Sequence, residues 1–394
     1  MKKMEPWERS EGASVKKPMT PPAPPTDALG DDLLGEILCR LPDMASLASA
    51  ALVCKGWGGV ASDPVIFRRF LSLRAPLLVG VILTKRDREC AADRNDLRFA
   101  RASSARNPKL ASAAAHGDFH FEGHPEIEAT DRWSLRVCDG GLLLCRGCYA
   151  SNLAVYDPPE RTAIFLEPPA GWHMVRYAIV ADEAGPSFQV IAVCPWHSHR
   201  FAVFSSGAGK WVVVNSFRDS WMCADDGMAA GRFAYWRSNT KKNTTNENGV
   251  VGLTAPFPAG ESYCMADMAE HGGLCIVSSR EQSVLLWVRD VNGGWVVKKE
   301  VSLLNQFWCL KRIRRDEWMK RLRILAMKAG YVYMEFWSIR KSESHVLVLN
   351  LNTVKLQQIF HNNAVERYRG AAFPFFLRLS PLPAADDDKE LQDA

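Results

Sequence analysis

No stretch of this 394-residue sequence approaches the roughly 18 consecutive apolar residues that a membrane-spanning helix needs. The start, Met1-Lys2-Lys3-Met4-Glu5-Pro6, has two lysines but no apolar run behind them, so the pattern of a secretory signal is missing. A soluble protein of the cytoplasm or nucleus is the expectation, with no membrane partner. A large excess of one charge sign is missing as well: a net charge of +5 over this length argues neither for nor against nucleic acid. Enzyme signatures are absent, with no G-x-x-x-x-G-K, no G-x-S-x-G and no H-E-x-x-H. Scattered acids such as Asp157, Asp182 and Asp225 show no pairing, so neither catalytic residues nor a cofactor are expected.

What is present is ordinary globular material, 47% hydrophobic and 24% charged, in a chain long enough for two domains. The eleven cysteines are read as reduced thiols that pack like small hydrophobes. Two groups invite a zinc reading: Cys138, Cys145 and Cys148, and the run Cys194-Pro195-Trp196-His197-Ser198-His199. Their spacing is too loose to bring four ligands to one point, so buried thiols and loop histidines are preferred and no metal is assigned.

The chain divides by composition. Residues 1–26 are polar and proline-rich, which favours an extended leader. Residues 27–74 are dense in Leu and Ala, residues 75–135 form a linker and a possible first blade, residues 136–380 are rich in strands, and residues 381–394 are an acidic tail.

In the helical block Leu33, Leu34, Ile37, Leu38 and Leu41 recur at the spacing of one helix face, and Pro42 ends that helix. Asp43 can cap a second helix with Leu47, Ala48, Ala51 and Leu52 on one stripe. A third short segment covers Val53 to Trp57, and Asp63-Pro64 can open another with Ile66, Phe67 and Phe70. So small a core calls for extra burial, which a partner can supply.

These residues, from Leu29-Gly30-Asp31-Asp32-Leu33-Leu34 through Leu41-Pro42, Ser46-Leu47, Val53-Cys54-Lys55-Gly56-Trp57 and Asp63-Pro64 to Phe67, resemble the F-box. The resemblance implies a three-helix module that binds a Skp-type adaptor, held in turn by a cullin with its RING subunit. Carried over residue by residue, it implies that Leu29, Leu33, Glu36, Ile37, Leu41, Pro42, Leu47, Val53, Cys54 and Trp57 form or support that contact. Two departures stand out: Gly30 replaces the family's proline, and Gly56, Gly58 and Gly59 surround Trp57, each glycine costing about 1 kcal/mol in a helix.

Beyond residue 136 a unit recurs: a glycine-led apolar strand, a second apolar strand, a polar turn and a last strand. Copies begin near Gly141, Phe188, Gly231, Gly273 and Gly330, a spacing of roughly 40 to 50 residues that matches a four-stranded propeller blade. Five copies are visible, and residues 77–135 are the candidate for a sixth. The fold class read from the sequence is therefore α+β multidomain: a small N-terminal three-helix F-box, then a mainly-β domain built as a β-propeller of about six blades. Pro76-Leu77-Leu78-Val79-Gly80 and Asp139-Gly140-Gly141-Leu142-Leu143-Leu144 resemble the propeller-like domain that follows the F-box in many plant members.

The function implied is a non-catalytic receptor that presents an unidentified target protein for ubiquitination. The alternative is a ligase-independent binding module or nuclear regulator using the basic run Lys311-Arg312-Ile313-Arg314-Arg315 with Lys320, Arg321 and Arg323. Asp316, Glu317 and Trp318 interrupt that run, and no nucleic-acid-binding module accompanies it, so a solvated loop is preferred and nucleic acid is not an expected partner. A propeller hydrolase is the third and weakest reading.

Overall fold

The computed structural model describes residues 30–378 except 75, 85–96, 103–111, 113–114, 122–132, 148–151, 173–174, 183–184, 195–199, 216–224, 239–243, 246–249, 259, 281–282, 305, 307–321, 339–342 and 363–369. By its contacts the chain falls into two units, residues 1–62 with 383–394, and residues 63–382.

The first unit holds α1 (Asp31–Cys39), α2 (Met44–Ala51) and α3 (Lys55–Ser62), with α3 packed on both of the others. Helix α1 starts at Gly30, whose extended backbone offers no side-chain cap, so Asp31 and Asp32 in the first turn are what favours that terminus. Asp43 caps α2 as expected, accepting from the Ser46 N–H at 2.8 Å and the Ser46 hydroxyl at 2.9 Å. The third helix differs from the expectation: it begins after Cys54 and runs to Ser62, straight through all three glycines. Gly58 explains part of this. A Cβ there would lie 3.0 Å from the Ala51 carbonyl oxygen, so a hydrogen in place of a side chain lets α3 approach α2.

The second unit opens with α4 (Pro64–Ser72), where Asp63 accepts from the N–H groups of Val65 (2.7 Å) and Ile66 (3.1 Å) and Pro64 occupies the first turn. Arg74 then lays its guanidinium 3.2 Å from the Phe70 ring centre. Six sheets follow, arranged as a six-bladed β-propeller. Blade 2 is β3 (Trp133–Asp139), β4 (Leu142–Gly147), β5 (Leu153–Asp157) and β6 (Thr162–Leu166). Blade 3 is β7 (Arg176–Ala181), β8 (Phe188–Cys194), β9 (Arg200–Ser205) and β10 (Lys210–Asn215). Blade 4 has β11 (Met228–Ala230), β12 (Phe233–Ser238), β13 (Thr244–Thr245) and β14 (Val250–Thr254), and is irregular because β12 and β14 pair in parallel. Blade 5 is β15 (Tyr263–Met268), β16 (Gly273–Arg280), β17 (Ser283–Arg289) and β18 (Trp295–Ser302). Blade 6 is β19 (Leu322–Lys328), β20 (Tyr331–Ser338), β21 (Glu343–Asn350) and β22 (Lys355–Asn362).

Blade 1 closes the ring with strands from both ends of the unit: β1 (Leu78–Thr84) and β2 (Leu97–Arg101) pair with β23 (Ala372–Phe376) in the order β2-β1-β23. Gly80 is at the heart of this sheet; a Cβ on it would sit 2.5 Å from the Ala100 carbonyl oxygen and the Phe99 ring. The first strand of each of blades 2 to 6, together with β23, forms the inner ring, with β3 beside β7, β7 beside β11, β11 beside β15, β15 beside β19, β19 beside β23, and β23 back to β3. The glycine-led strands seen in the sequence are thus second strands, entered from turns in which Gly141, Gly231, Gly273 and Gly330 take positive φ. Each blade begins one strand earlier than the glycine marks.

The second strands are buried along nearly their whole length, as with Leu142, Leu143, Leu144 and Cys145 in β4. Each is covered on both faces by neighbouring blades, which removes the alternation expected of a half-exposed strand. Leu144, Val155, Tyr177 and Ile179 share one apolar cluster across blades 2 and 3, and Cys275, Val277, Met334 and Leu347 share another across blades 5 and 6.

Candidate functional site

Two regions offer chemistry: the exposed side of the first unit, and the axis of the second. On α1, Leu34 and Leu38 are buried at 3% and 0% exposure, whereas Leu33 and Ile37, one turn apart on another face, are exposed at 54% and 40%. Leu52 and Val53, just past α2, stand out at 87% and 63%. Covering the apolar side chains left in water on α1 and just past α2 releases free energy in proportion to their area.

The residues expected from the sequence to meet an adaptor are distributed unevenly. Leu33, Ile37, Pro42, Val53 and Cys54 are exposed, and Glu36, Leu41 and Trp57 are half-buried. Leu47 is fully buried and can only support the surface from behind, while Leu29 lies outside the described residues. Cys54 helps to start α3: its Sγ accepts from the Trp57 N–H at 3.5 Å and its carbonyl accepts from the Gly58 N–H at 2.9 Å.

On the propeller axis lies a cavity of about 800 Å³ lined by the inner strands, among them Trp133, Arg136, Arg176, Asp226, Tyr263 and Arg323. Its charged groups stitch blade to blade. Arg136 of β3 pairs with Asp226 at 2.7 Å, and Asp226, just ahead of β11, accepts from the Tyr177 N–H of β7 at 2.8 Å, so one carboxylate joins blades 2, 3 and 4. Burial raises the Asp226 carboxyl above its ordinary value, with Arg136 and the Tyr177 N–H opposing the rise. Asp139 accepts from the Ala181 N–H at 2.9 Å, and Ser262 accepts from the Ile324 N–H at 2.8 Å, joining blades 5 and 6. Arg323 donates to the fully buried Glu335 and, at 2.7 Å, to the Gly370 carbonyl ahead of β23. Burial raises Glu335 too, and Arg323 opposes it.

None of Arg136, Arg176, Asp226 or Glu335 stands out in the sequence. The available signal is a charged residue inside an otherwise apolar strand, as in Trp133-Ser134-Leu135-Arg136-Val137, which alone does not say what it faces.

Cys145 and Cys138 are on β4 and β3 of one blade, buried and partly buried, and burial pushes the Cys145 thiol up to about 12. A thiol held protonated this way is neither a metal ligand nor a nucleophile at neutral pH. No cluster of His, Cys, Asp and Glu suited to a metal occurs among the described residues, and Cys148 and residues 195–199 lie outside them. So does the basic run from Lys311 to Arg321; Arg323 belongs to β19 and is held by Glu335. No described helix is long and apolar enough to cross a membrane.

Comparison with known proteins identifies the helices at the start of the chain, including α4. Residues 27–72 match the F-box-like family model. The chain carries an F-box-like domain. No curated protein matches the chain. Among solved structures, a protein of unknown function from Bacteroides thetaiotaomicron is similar over 61% of this chain and 62% of its own, at 10% identity and a TM-score of 0.35. PorZ of the type-IX secretion system of Porphyromonas gingivalis is similar over 57% of this chain and 29% of its own, at 11% identity and a TM-score of 0.32. A quinonprotein alcohol dehydrogenase-like protein from Bacteroides thetaiotaomicron is similar over 64% and 70%, at 8% identity and a TM-score of 0.33. The chain therefore spans less than two thirds of the first two structures, and likenesses this slight assign neither activity nor partner to the domain beyond the F-box-like one.

Proposed function

We propose that this chain is the substrate-recognition subunit of a Skp-cullin-F-box ubiquitin ligase. The F-box-like domain docks on a Skp-type adaptor, through which cullin and RING subunits are reached, and the propeller holds the protein to be modified. The chain itself does no bond chemistry in this role. One observation carries the reading: within a domain matched as F-box-like, Leu33 and Ile37 are exposed one turn apart while their neighbours Leu34 and Leu38 are buried. A helix that offers apolar groups on two faces has a second partner to meet. Leu52 and Val53 add to the uncovered area, and apolar anchors of this type contribute most of the energy of a protein interface.

Co-expression with a Skp-type adaptor tests the proposal directly. The wild-type chain retains the adaptor through purification, and the variant Leu33→Asp with Ile37→Asp, which alters exposed positions only, loses it. Retention of the adaptor by the folded double variant as well as by wild type overturns the docking face.

A further inference from the structure

The axial cavity carries a binding site whose ligand class can be read from its charges; this rests on the propeller being the target-holding part. Three arginines line it, and two are occupied: Arg136 by Asp226, and Arg323 by Glu335 and the Gly370 carbonyl. Arg176, at the start of β7, is different. Its buried Nε–H has no hydrogen-bond partner among the described residues, as is also true of Arg136 and Arg323, but it alone of the three takes part in none of the ion pairs there. A guanidinium presents five donors and does not lose its proton, so a half-buried arginine without a bound acceptor is an incomplete arrangement.

The surroundings select among anions. Asp226 borders the cavity and lies close enough for Arg176 to favour its charged form. A phosphate group on Arg176, carrying about −1.5 to −2 charges, is repelled by the neighbouring Asp226 carboxylate. A single carboxylate meets about half to two thirds of that repulsion and matches the planar fork of the guanidinium. Trp133, Leu135, Tyr263 and Met265 supply apolar wall elsewhere in the same cavity. A volume of about 800 Å³ accepts a short peptide segment rather than a folded surface.

We propose that the propeller's axial cavity binds an extended peptide segment of the target through one carboxylate, an Asp or Glu side chain or a chain terminus, anchored on Arg176.

The test uses the full-length chain. A display library of random short peptides is selected in parallel on wild type and on Arg176→Gln, and enriched peptides are then measured by fluorescence anisotropy. Wild type enriches acidic peptides; changing the enriched acid to its amide, or Arg176 to Gln, weakens binding about tenfold or more, and Arg176→Lys recovers part of it. Phosphoserine in place of the acid binds more weakly than the carboxylate. A cooperative thermal transition in Arg176→Gln shows that the propeller remains folded. Acidic enrichment that is absent, or equal in the Arg176→Gln selection, or surpassed by the phosphoserine peptide, overturns the assignment. Adaptor retention, read on the same samples, separates the two ideas: failure of peptide selection with the adaptor still bound refutes the cavity site alone, and loss of the adaptor with selection intact refutes the ligase role alone.

Discussion

Truncating Leu33 and Ile37 to alanine gives a quantitative test of the docking face. Complete burial of a leucine or isoleucine side chain is worth about 1.5–3 kcal/mol. Leu33 is 54% and Ile37 40% exposed, so the surface they leave for a partner is close to that of one whole aliphatic side chain. Alanine keeps one carbon of each, and the expected loss of adaptor affinity is about 1–3 kcal/mol, or about five- to more than a hundredfold. Titration calorimetry of the purified chain with a Skp-type adaptor measures this. Alanine also suits a helix better than isoleucine does, which offsets part of the packing lost inside the domain, and far-ultraviolet dichroism checks that α1 persists. The contrasting variant is Leu47→Ala: with no surface exposed, it costs about 2–5 kcal/mol of folding stability and affects binding only through unfolding. A folded Leu33→Ala, Ile37→Ala chain that binds within about twofold of wild type, some 0.4 kcal/mol, refutes the assignment of that face.

Three further outcomes follow from the propeller. Ending the chain before Ala371 removes β23, the inner strand of blade 1 that pairs with β1 from Leu78 to Leu83, and is expected to yield aggregated rather than monomeric protein on size exclusion; a cooperative, monomeric truncated chain contradicts closure by this strand. Gly80→Ala places a methyl group 2.5 Å from the Ala100 carbonyl oxygen, so the urea midpoint drops by the equivalent of about 1–3 kcal/mol; an unchanged midpoint means that blade 1 is looser than this spacing implies. Burial raises the carboxyls of Glu335, Asp226 and Asp157 above their ordinary values of 4.5, 3.8 and 3.8, so the folded chain holds these protons to higher pH than the unfolded chain does. Their contribution to stability is complete below those ordinary values and declines as pH rises through the raised ones, giving a urea midpoint that falls as the pH is raised above those ordinary values. Glu335→Gln flattens part of the decline; a midpoint rising steadily over this interval, or one indifferent to Glu335→Gln, is the contrary result.

Much of the architecture follows from local pattern. Asp43 and Asp63 are legible as helix caps because an Asp oxygen satisfies nearby N–H groups within one turn, a matter of three residues. Pro42 and the Leu33, Leu34, Ile37, Leu38 spacing likewise depend only on neighbours along one helix. The blade repeat is visible because each blade is largely a contiguous meander, and its turns carry glycines at positive φ. Gly58 marks where local pattern stops: its helix cost is intrinsic, but its use, closeness to Ala51, belongs to the packing of α3 on α2.

What the sequence determined by itself is therefore the order of elements, the apolar set of each, and the likeness of its early helices to an F-box. Tertiary structure decided which face of α1 was left uncovered, which strand of each blade faces the axis, and that β23 rather than another linker strand completes blade 1. It also brought Arg136 to Asp226 and left Arg176 nearby with no ion pair among the described residues. The physical reason is range: caps, turns and periodicity act over a few residues, whereas burial and charge pairing depend on which distant segments the closed ring sets side by side.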